Sequence, residues 1–213
     1  VRYVVAPVAG LSRARNTGLA AARNGIVAFT DDDVVVDHQW LRGLARGFAR
    51  GADIACVSGL VPSGELRNAV QAYFDARVSW SKVLTPRQFR LSAPPPDLPM
   101  FPFCVGEYGT GANFAVRADT VRALGGFDEA LGVGTRTKGG EDLDIFTRVL
   151  FAGHGLAIEP AALVWHRHRD DLHRQDQDPA AQELAKEQGA AIAWRQQQAL
   201  ESAPILLTAQ TAV

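Results

Sequence analysis

The sequence is poor in cysteine, and this limits the kinds of site that it can contain. Its 213 residues include only Cys56 and Cys104, which are far apart and form no CxxC pair. Neither a disulfide framework nor a cysteine zinc site is predicted from this pattern. We expect two reduced, buried thiols in a cytoplasmic setting.

The sequence also lacks long apolar runs and a strong excess of either charge. No apolar run reaches the roughly 18–20 residues that a helix needs to cross a bilayer, although peripheral association with the inner face of a membrane stays open. The formal net charge is −1. Because a nucleic-acid-binding domain usually carries a basic patch, no nucleic acid is expected as a partner.

The first residues lack the features that usually precede a domain. The chain starts at Val1 without methionine, and residues 2–6 already have the composition of a strand. An α/β domain rarely begins inside its sheet. We therefore expect that the chain is truncated on its N-terminal side.

The residues that are present predict one α/β domain. The composition, 47% hydrophobic and 21% charged, is typical of a globular protein with a core. Apolar strand-like runs alternate with helix-like segments, which favours a mostly parallel, mixed sheet flanked by helices. Strands are expected at 2–6, 26–29, 53–60, 111–116, 156–158 and 163–165, and helices at 12–23, 40–48, 66–80, 119–125 and from 141 onward.

Two segments fall outside this alternating pattern. Residues 85–105 hold six prolines, too many for regular structure, and a loop of this length usually shapes a substrate site or acts as a lid. From about residue 170 the chain becomes polar and rich in glutamine and alanine. We expect a catalytic domain over 1–169 and a polar helical tail over 170–213.

An acidic triplet, Asp31, Asp32 and Asp33, follows the apolar run at 26–29. Adjacent carboxylates repel one another, and a bound Mg²⁺ or Mn²⁺ would remove that cost while sharing diphosphate oxygens as ligands. Strand alternation would point Asp31 and Asp33 to one side and Asp32 to the other. The alternative is an ordinary acidic turn that caps the next helix.

A second acidic pair, Glu141 and Asp142, follows Gly139 and Gly140 at a predicted helix start. The helix dipole favours ionised carboxylates there, and an ionised aspartate could accept a proton from a substrate hydroxyl. Glycine before the pair allows a ligand to approach closely. Simple helix capping is the alternative.

A basic cluster, His166, Arg167, His168 and Arg169, follows the last predicted strand. Imidazole is a frequent metal ligand, and a guanidinium can hold diphosphate oxygens through two hydrogen bonds. The alternative is a group of solvated basic residues at a strand end.

Taken in order, the motifs resemble those of the family 2 inverting glycosyltransferases, which have the GT-A fold. The resemblance covers about residues 4–169. Each string is weak alone, but the ordered set is highly specific. The strings are GLSRARNTG (10–18), FTDDD (29–33), GTGANFAVR (109–117), LGGFD (124–128), GGEDLD (139–144) and WHRHR (165–169).

The resemblance implies a role for each matching position. Asp142 would be the general base. The metal ligands would be Asp33, Asp31 and His166, with Asp31 also near the donor ribose. Donor contacts are expected from Arg15, Asn16, Asp31, Asp32 and Arg169. Acceptor contacts are expected from Asn113, Gly111 and Glu141.

The implied reaction moves a sugar from a UDP- or GDP-linked donor to a glycan or lipid-linked acceptor, with Mg²⁺ or Mn²⁺. The family normally begins with strands that hold the nucleobase, and these are missing here. Two other functions stay open: a non-catalytic module of transferase ancestry that binds a glycan or a partner protein, and a nucleotidyltransferase. The latter would usually need a glycine-rich basic phosphate loop, and none is visible.

Overall fold

The computed structural model describes residues 2–68, 71, 72, 75 and 83–167. Four α-helices, one short 3₁₀ helix at Val105–Glu107 and six strands make up its regular structure. The helices are α1 (Leu11–Ala21), α2 (Trp40–Phe48), α3 (Ala118–Ala123) and α4 (Glu141–Phe151). The strands are β1 (Ile26–Thr30), β2 (Val34–Val36), β3 (Ile54–Leu60), β4 (Arg87–Phe89), β5 (Asn113–Arg117) and β6 (Gly155–His166).

The strands form one mixed sheet in the order β1-β5-β3-β6-β2, with β4 also paired to β6. The α/β class and the mixed sheet flanked by helices are confirmed. The expected majority of parallel pairs is wrong, because among the described strands only β3 and β6 run parallel. The strand β5 runs between β1 and β3 in the opposite direction, and strand direction is not encoded in the local hydrophobic pattern that predicted the elements.

Helices cover both faces of the sheet, and strand alternation divides the core between them. Phe114 and Val116 of β5 pack on the face covered by α1, α3 and α4, whereas Ala115 packs on the face covered by α2. The central strand β3 is buried along its whole length because both of its faces are covered. This burial explains its continuous apolar run, IACVSGL.

Two glycines allow α2 to lie very close to the sheet. A Cβ added at Gly43 would lie 2.4 Å from the backbone of Ala161, and one at Gly47 would lie 2.4 Å from the side chain of Val57. The two positions are four residues apart and share one helix face. Small side chains on the sheet, including Ala115 and Ala157, complete this packing.

Two strand predictions need correction. Residues 2–6 form no strand, and Tyr3 and Val5 are 87% and 63% exposed, because no neighbouring strand among the described residues pairs with them. The separate strands expected at 156–158 and 163–165 are one strand, β6, which continues through an irregularity between its pairs with Ser58 and Leu60.

The proline-rich segment joins the sheet through β4, which pairs with β6. Arg90 makes two hydrogen bonds to Asp53, at 2.5 and 3.0 Å, beside the N-terminal end of β3. Nη2 of Arg87 donates to both carboxylate oxygens of Asp97. The role of this segment as a substrate loop or a lid stays a prediction.

Some predictions fall on residues that the structure does not describe. Most of the helix expected at 66–80, the tail expected at 170–213, and the residues His168 and Arg169 lie outside the described residues. Within the described part, no helix is both long and apolar enough to cross a membrane.

Candidate active site

Asp31, Asp33 and His166 form a cluster at one end of the sheet. One potential ligand atom from each lies within 4.8 Å of the other two. The imidazole Nε2 of His166 lies 3.5 Å from Oδ1 of Asp33. The side chains of Asp31 and Asp33 are 36% and 50% exposed, so solvent and ligands can reach them.

The pairing of β2 with β6 explains why residues 133 positions apart meet. The register of this antiparallel ladder places Val34 opposite His166. The backbone N–H of Arg167 also donates to the carbonyl of Asp33 at 3.1 Å. The end of β6 is thereby fixed beside the acidic triplet, which spacing along the sequence could not reveal.

The electrostatics of this cluster fit a divalent cation. Burial raises the pKa of Asp31, and the neighbouring Asp33 and Asp142 carboxylates raise it further, while Arg15 and His166 oppose the effect. A cation between the carboxylates would relieve this repulsion. Two carboxylates and one imidazole suit Mn²⁺ or Mg²⁺. Asp32 is exposed and lies outside this ligand set.

Asp142 lies at the start of α4 with both carboxylate oxygens engaged by backbone N–H groups. Oδ2 accepts from Gly111 at 2.6 Å, and Oδ1 accepts from Leu143 at 2.9 Å. Gly140 precedes the helix with a φ of 87°, a left-handed conformation that favours glycine. The side chain is half-buried and retains lone pairs for a substrate hydroxyl.

Arg15 joins the acidic triplet to the start of α4. Its guanidinium lies 2.6 Å from Glu141, 4.0 Å from Asp31 and donates to the carbonyl of Gly111 at 3.1 Å. Both Arg15 and Glu141 are almost fully buried. Burial raises the pKa of Glu141, as does Asp142, while Arg15 lowers it. The two acidic motifs therefore converge on one region, as the sequence predicts.

Asn113, for which the resemblance implies an acceptor contact, is fully buried, and that contact stays a prediction. Its amide nitrogen donates to the carbonyls of Leu60 and Ala162, and its amide oxygen accepts from the indole of Trp40. The side chain thus ties β5 to β3, β6 and α2. The side chain of Asn113 is packed inside the protein and has no exposed polar atom.

The expected donor residue Asn16 makes contacts within the protein. Its amide accepts from the backbone N–H of Phe127 at 2.7 Å and donates to the carbonyl of the same residue at 2.8 Å. These bonds attach α1 to the turn that follows α3. Arg15, Glu141 and Gly111 similarly bond to one another, so their contacts with donor or acceptor remain predictions.

The sequence analysis missed two supporting residues. Ser12 is buried and donates to the carbonyl of Leu131, while Trp40 donates to Asn113. No local pattern in the sequence marks these contacts, because the partners lie 119 and 73 residues away.

Comparisons with known proteins agree with the motifs. The sequence model of glycosyl transferase family 2 matches residues 1–106. The pre-mycofactocin glycosyltransferase of Mycobacterium tuberculosis is 33% identical over 163 residues, which cover 76% of this chain and 31% of that protein. The succinoglycan biosynthesis protein ExoM of Rhizobium meliloti is 32% identical over 167 residues, covering 77% and 47%. The chain thus spans 31% and 47% of the lengths of these two relatives, less than half of either.

Two solved structures have a related arrangement. GalNAc-T7 with UDP, GalNAc and Mn²⁺ aligns with a TM-score of 0.49 and 18% identity, covering 80% of this chain and 32% of that chain. The mannosyltransferase PcManGT from Pyrobaculum calidifontis, in complex with GDP-Man and Mn²⁺, aligns with a TM-score of 0.49 and 16% identity, covering 92% and 56%. A similarity this distant carries no functional argument.

The sequence matches extend over both acidic motifs. The family model includes the triplet at 31–33, and relatives at 32% and 33% identity cover about three quarters of the chain. The chain belongs to glycosyl transferase family 2.

Proposed function

We propose that the protein is an inverting, hexosyltransferase-type enzyme that moves a sugar from a nucleotide-diphosphate sugar to an acceptor hydroxyl. The observation that carries this proposal is the convergence of Asp31, Asp33 and His166 with Asp142 around the buried Arg15. A diphosphate needs a cationic partner, and an attacking hydroxyl needs a base. This end of the sheet contains residues suited to both requirements.

Asp142 would act as the general base. Its carboxylate takes the proton of the acceptor hydroxyl as that oxygen bonds to the anomeric carbon. The bond from this carbon to the nucleotide breaks on the opposite face, and its electron pair leaves with the nucleoside diphosphate. Two backbone N–H donors fix the position of this carboxylate.

Asp31, Asp33 and His166 would hold Mn²⁺ or Mg²⁺. When bound, the cation supplies electrostatic stabilisation to the charge on a diphosphate leaving group. Asp32 and Arg169 are retained as proposed donor contacts. Arg15 would oppose the negative charge of the triplet from inside the protein, where it lies 4.0 Å from Asp31.

The names of the relatives suggest substrates. ExoM is named for succinoglycan biosynthesis, and the mycobacterial relative is named a glycosyltransferase. We propose a UDP- or GDP-linked donor and a glycan or lipid-linked acceptor in the synthesis of the bacterial cell envelope. A cytoplasmic site of action, at the inner face of the membrane, fits such an acceptor.

Calorimetry with UDP-glucose and GDP-mannose tests this proposal. We expect at least one donor to bind in the presence of Mn²⁺ and to lose that binding in EDTA. Release of UDP or GDP should follow the same metal dependence. Absence of metal-dependent heat with either donor, or with UDP and GDP themselves, would contradict the proposal and favour the non-catalytic binding module.

A further inference from the structure

The peptide unit of Gly111 lies between Arg15 and Asp142. Its N–H donates to Oδ2 of Asp142 at 2.6 Å, and its carbonyl accepts from Nη2 of Arg15 at 3.1 Å. Arg15 is in turn bound to Oε1 of Glu141 at 2.6 Å. The contacts form a continuous series from Glu141 through Arg15 and Gly111 to Asp142.

We propose that Arg15 and Glu141 are positioning residues for the base, and that they act on Asp142 through the Gly111 peptide. This inference rests on the proposed function and reassigns two residues that the motifs suggested as direct donor and acceptor contacts. The ion pair fixes the Gly111 peptide, and the N–H of that peptide fixes the direction of the Asp142 carboxylate.

The surroundings of Arg15 allow its guanidinium little freedom. Its side chain is 6% exposed, and its guanidinium lies 5.3 and 5.6 Å from the ring centroids of Phe114 and Phe127. A buried cation is costly unless it is paired and hydrogen-bonded. Glu141 supplies the opposite charge, and the Gly111 carbonyl supplies a further acceptor.

The space at Gly111 shows how closely this arrangement is packed. A Cβ at this position would lie 2.7 Å from Nη2 of Arg15 and 3.2 Å from Oδ2 of Asp142. The residue is buried between them. A side chain here would therefore move the guanidinium, the carboxylate or both.

The first test replaces Glu141 in the whole protein. Glu141→Gln keeps the shape of the side chain and removes the charge that holds Arg15. Since misplacement of a catalytic group by about 1 Å can cost about 100-fold, we expect kcat to fall about 10–100-fold. The Kd for Mn²⁺ and donor should stay within about threefold, because the base acts only in the transition state.

A matched control uses a second arginine–glutamate pair, in which the glutamate is buried. Arg50 donates twice to Glu159, which is 1% exposed and lies on the face of the sheet covered by α2. Glu159→Gln should lower stability without lowering kcat in the folded enzyme. Equal losses of kcat in both variants would show that the effect is structural and would overturn the proposal.

The second test replaces Gly111. Gly111→Ala should lower kcat about 10–100-fold, because its Cβ contacts both Arg15 and Asp142. Gly18→Ala, on the same helix as Arg15, is the control, because nothing lies within 4 Å of a Cβ there. Unchanged kcat in Gly111→Ala would contradict a positioning role for this peptide.

A spectroscopic test separates this inference from the proposed function. The Gly111 amide proton should resonate downfield in the ¹H–¹⁵N spectrum of the chain, since it donates to a carboxylate. Asp142→Asn and Glu141→Gln should both move it upfield, and Glu159→Gln should not. If Glu141→Gln leaves the chemical shift of the Gly111 amide proton unchanged, the inference is overturned, even if Asp142 proves to be the base. If the shift moves as expected, the inference is supported, even if the chain lacks transfer activity.

Discussion

The carboxylates at the two ends of the sheet have opposite electrostatic surroundings. At the end where β1 stops, Asp31, Asp33, Glu141 and Asp142 gather around Arg15, and the pKa values of Asp31 and Glu141 are raised, first of all by burial. At the end where β3 begins, the single carboxylate of Asp53 faces the single guanidinium of Arg90. Hydrogen bonds from Arg90 lower the pKa of Asp53.

We call the end of the sheet near Asp31 the binding end, after the function proposed above, and the end near Asp53 the structural end. Pairing each carboxylate with a guanidinium stabilises the fold and leaves little demand for a further cation. Gathering carboxylates around too few cations costs stability unless a ligand supplies positive charge. The end near Asp31 therefore suits the cation and diphosphate site that we propose, whereas the end near Asp53 is stabilised by its own ion pair.

The largest expected effect is that of Asp142→Asn at the binding end. Loss of the general base should lower transfer about 10²–10⁴-fold, while Mn²⁺-dependent donor binding persists. Steady-state rates and calorimetry on the same preparation provide the measurement. Asp53→Asn, at the structural end, should leave transfer unchanged. Near-normal turnover by Asp142→Asn would remove this residue from the role of base.

A large loss of stability is expected from Asn113→Ala, beneath the binding end. The carbonyls of Leu60 and Ala162 and the indole of Trp40 would lose buried partners, which should cost about 2–4 kcal/mol of unfolding free energy. Urea denaturation measures this change. Exposed Asn24→Ala is the control. A normal midpoint combined with an altered acceptor KM would favour Asn113 as a direct acceptor contact.

Asp33→Asn should weaken the binding of Mn²⁺ without lowering the stability of the fold. Removing a ligand should weaken Mn²⁺ affinity by at least about 10–100-fold, since even outer contacts of a metal site have effects of that size. Without metal the variant should melt no lower than the wild type, because Asp31 loses a repelling neighbour. A lower melting temperature with unchanged Mn²⁺ affinity would mark the triplet as a helix-capping turn.

The smallest effect is expected from Asp53→Asn at the structural end. The pair with Arg90 is partly exposed, so its loss should cost about 0.5 kcal/mol at neutral pH. Because Arg90 lowers the pKa of Asp53 from its ordinary 3.8, this contribution is present above that value and is lost as pH falls below it. Urea midpoints of the two proteins should therefore differ at pH 7 and converge in acid. A constant difference would contradict the assignment.

The sequence predicts where the helices and strands lie better than it predicts which strands pair. The apolar runs ending at Thr30 and Leu60 and the glycine before Glu141 mark β1, β3 and α4, because local pattern and capping suffice there. Strand direction depends on distant partners, and β1 pairs antiparallel with β5 although their sequences carry no sign of it.

The same limit applies to the site. The acidic strings and His166 are visible as motifs, and the structure brings them together. Their contacts with one another are not visible, because Arg15, Glu141 and Gly111 meet across 96 and 126 residues. A motif marks a residue, but the partners of that residue depend on the fold, as the hydrogen bonds of Asn113 to Leu60, Ala162 and Trp40 show.

The contrast between the two ends can be measured directly with Mn²⁺ as a paramagnetic probe. The strand β3 alone separates them by about 20 Å, at about 3.3 Å per residue. In the ¹H–¹⁵N spectrum, small additions of Mn²⁺ should broaden the amides of Asp31, Asp33 and Gly111 first and leave those of Asp53 and Ile54, at the start of β3, sharp. Broadening that begins near Asp53, or that affects both ends equally, would contradict a cation site at the acidic triplet.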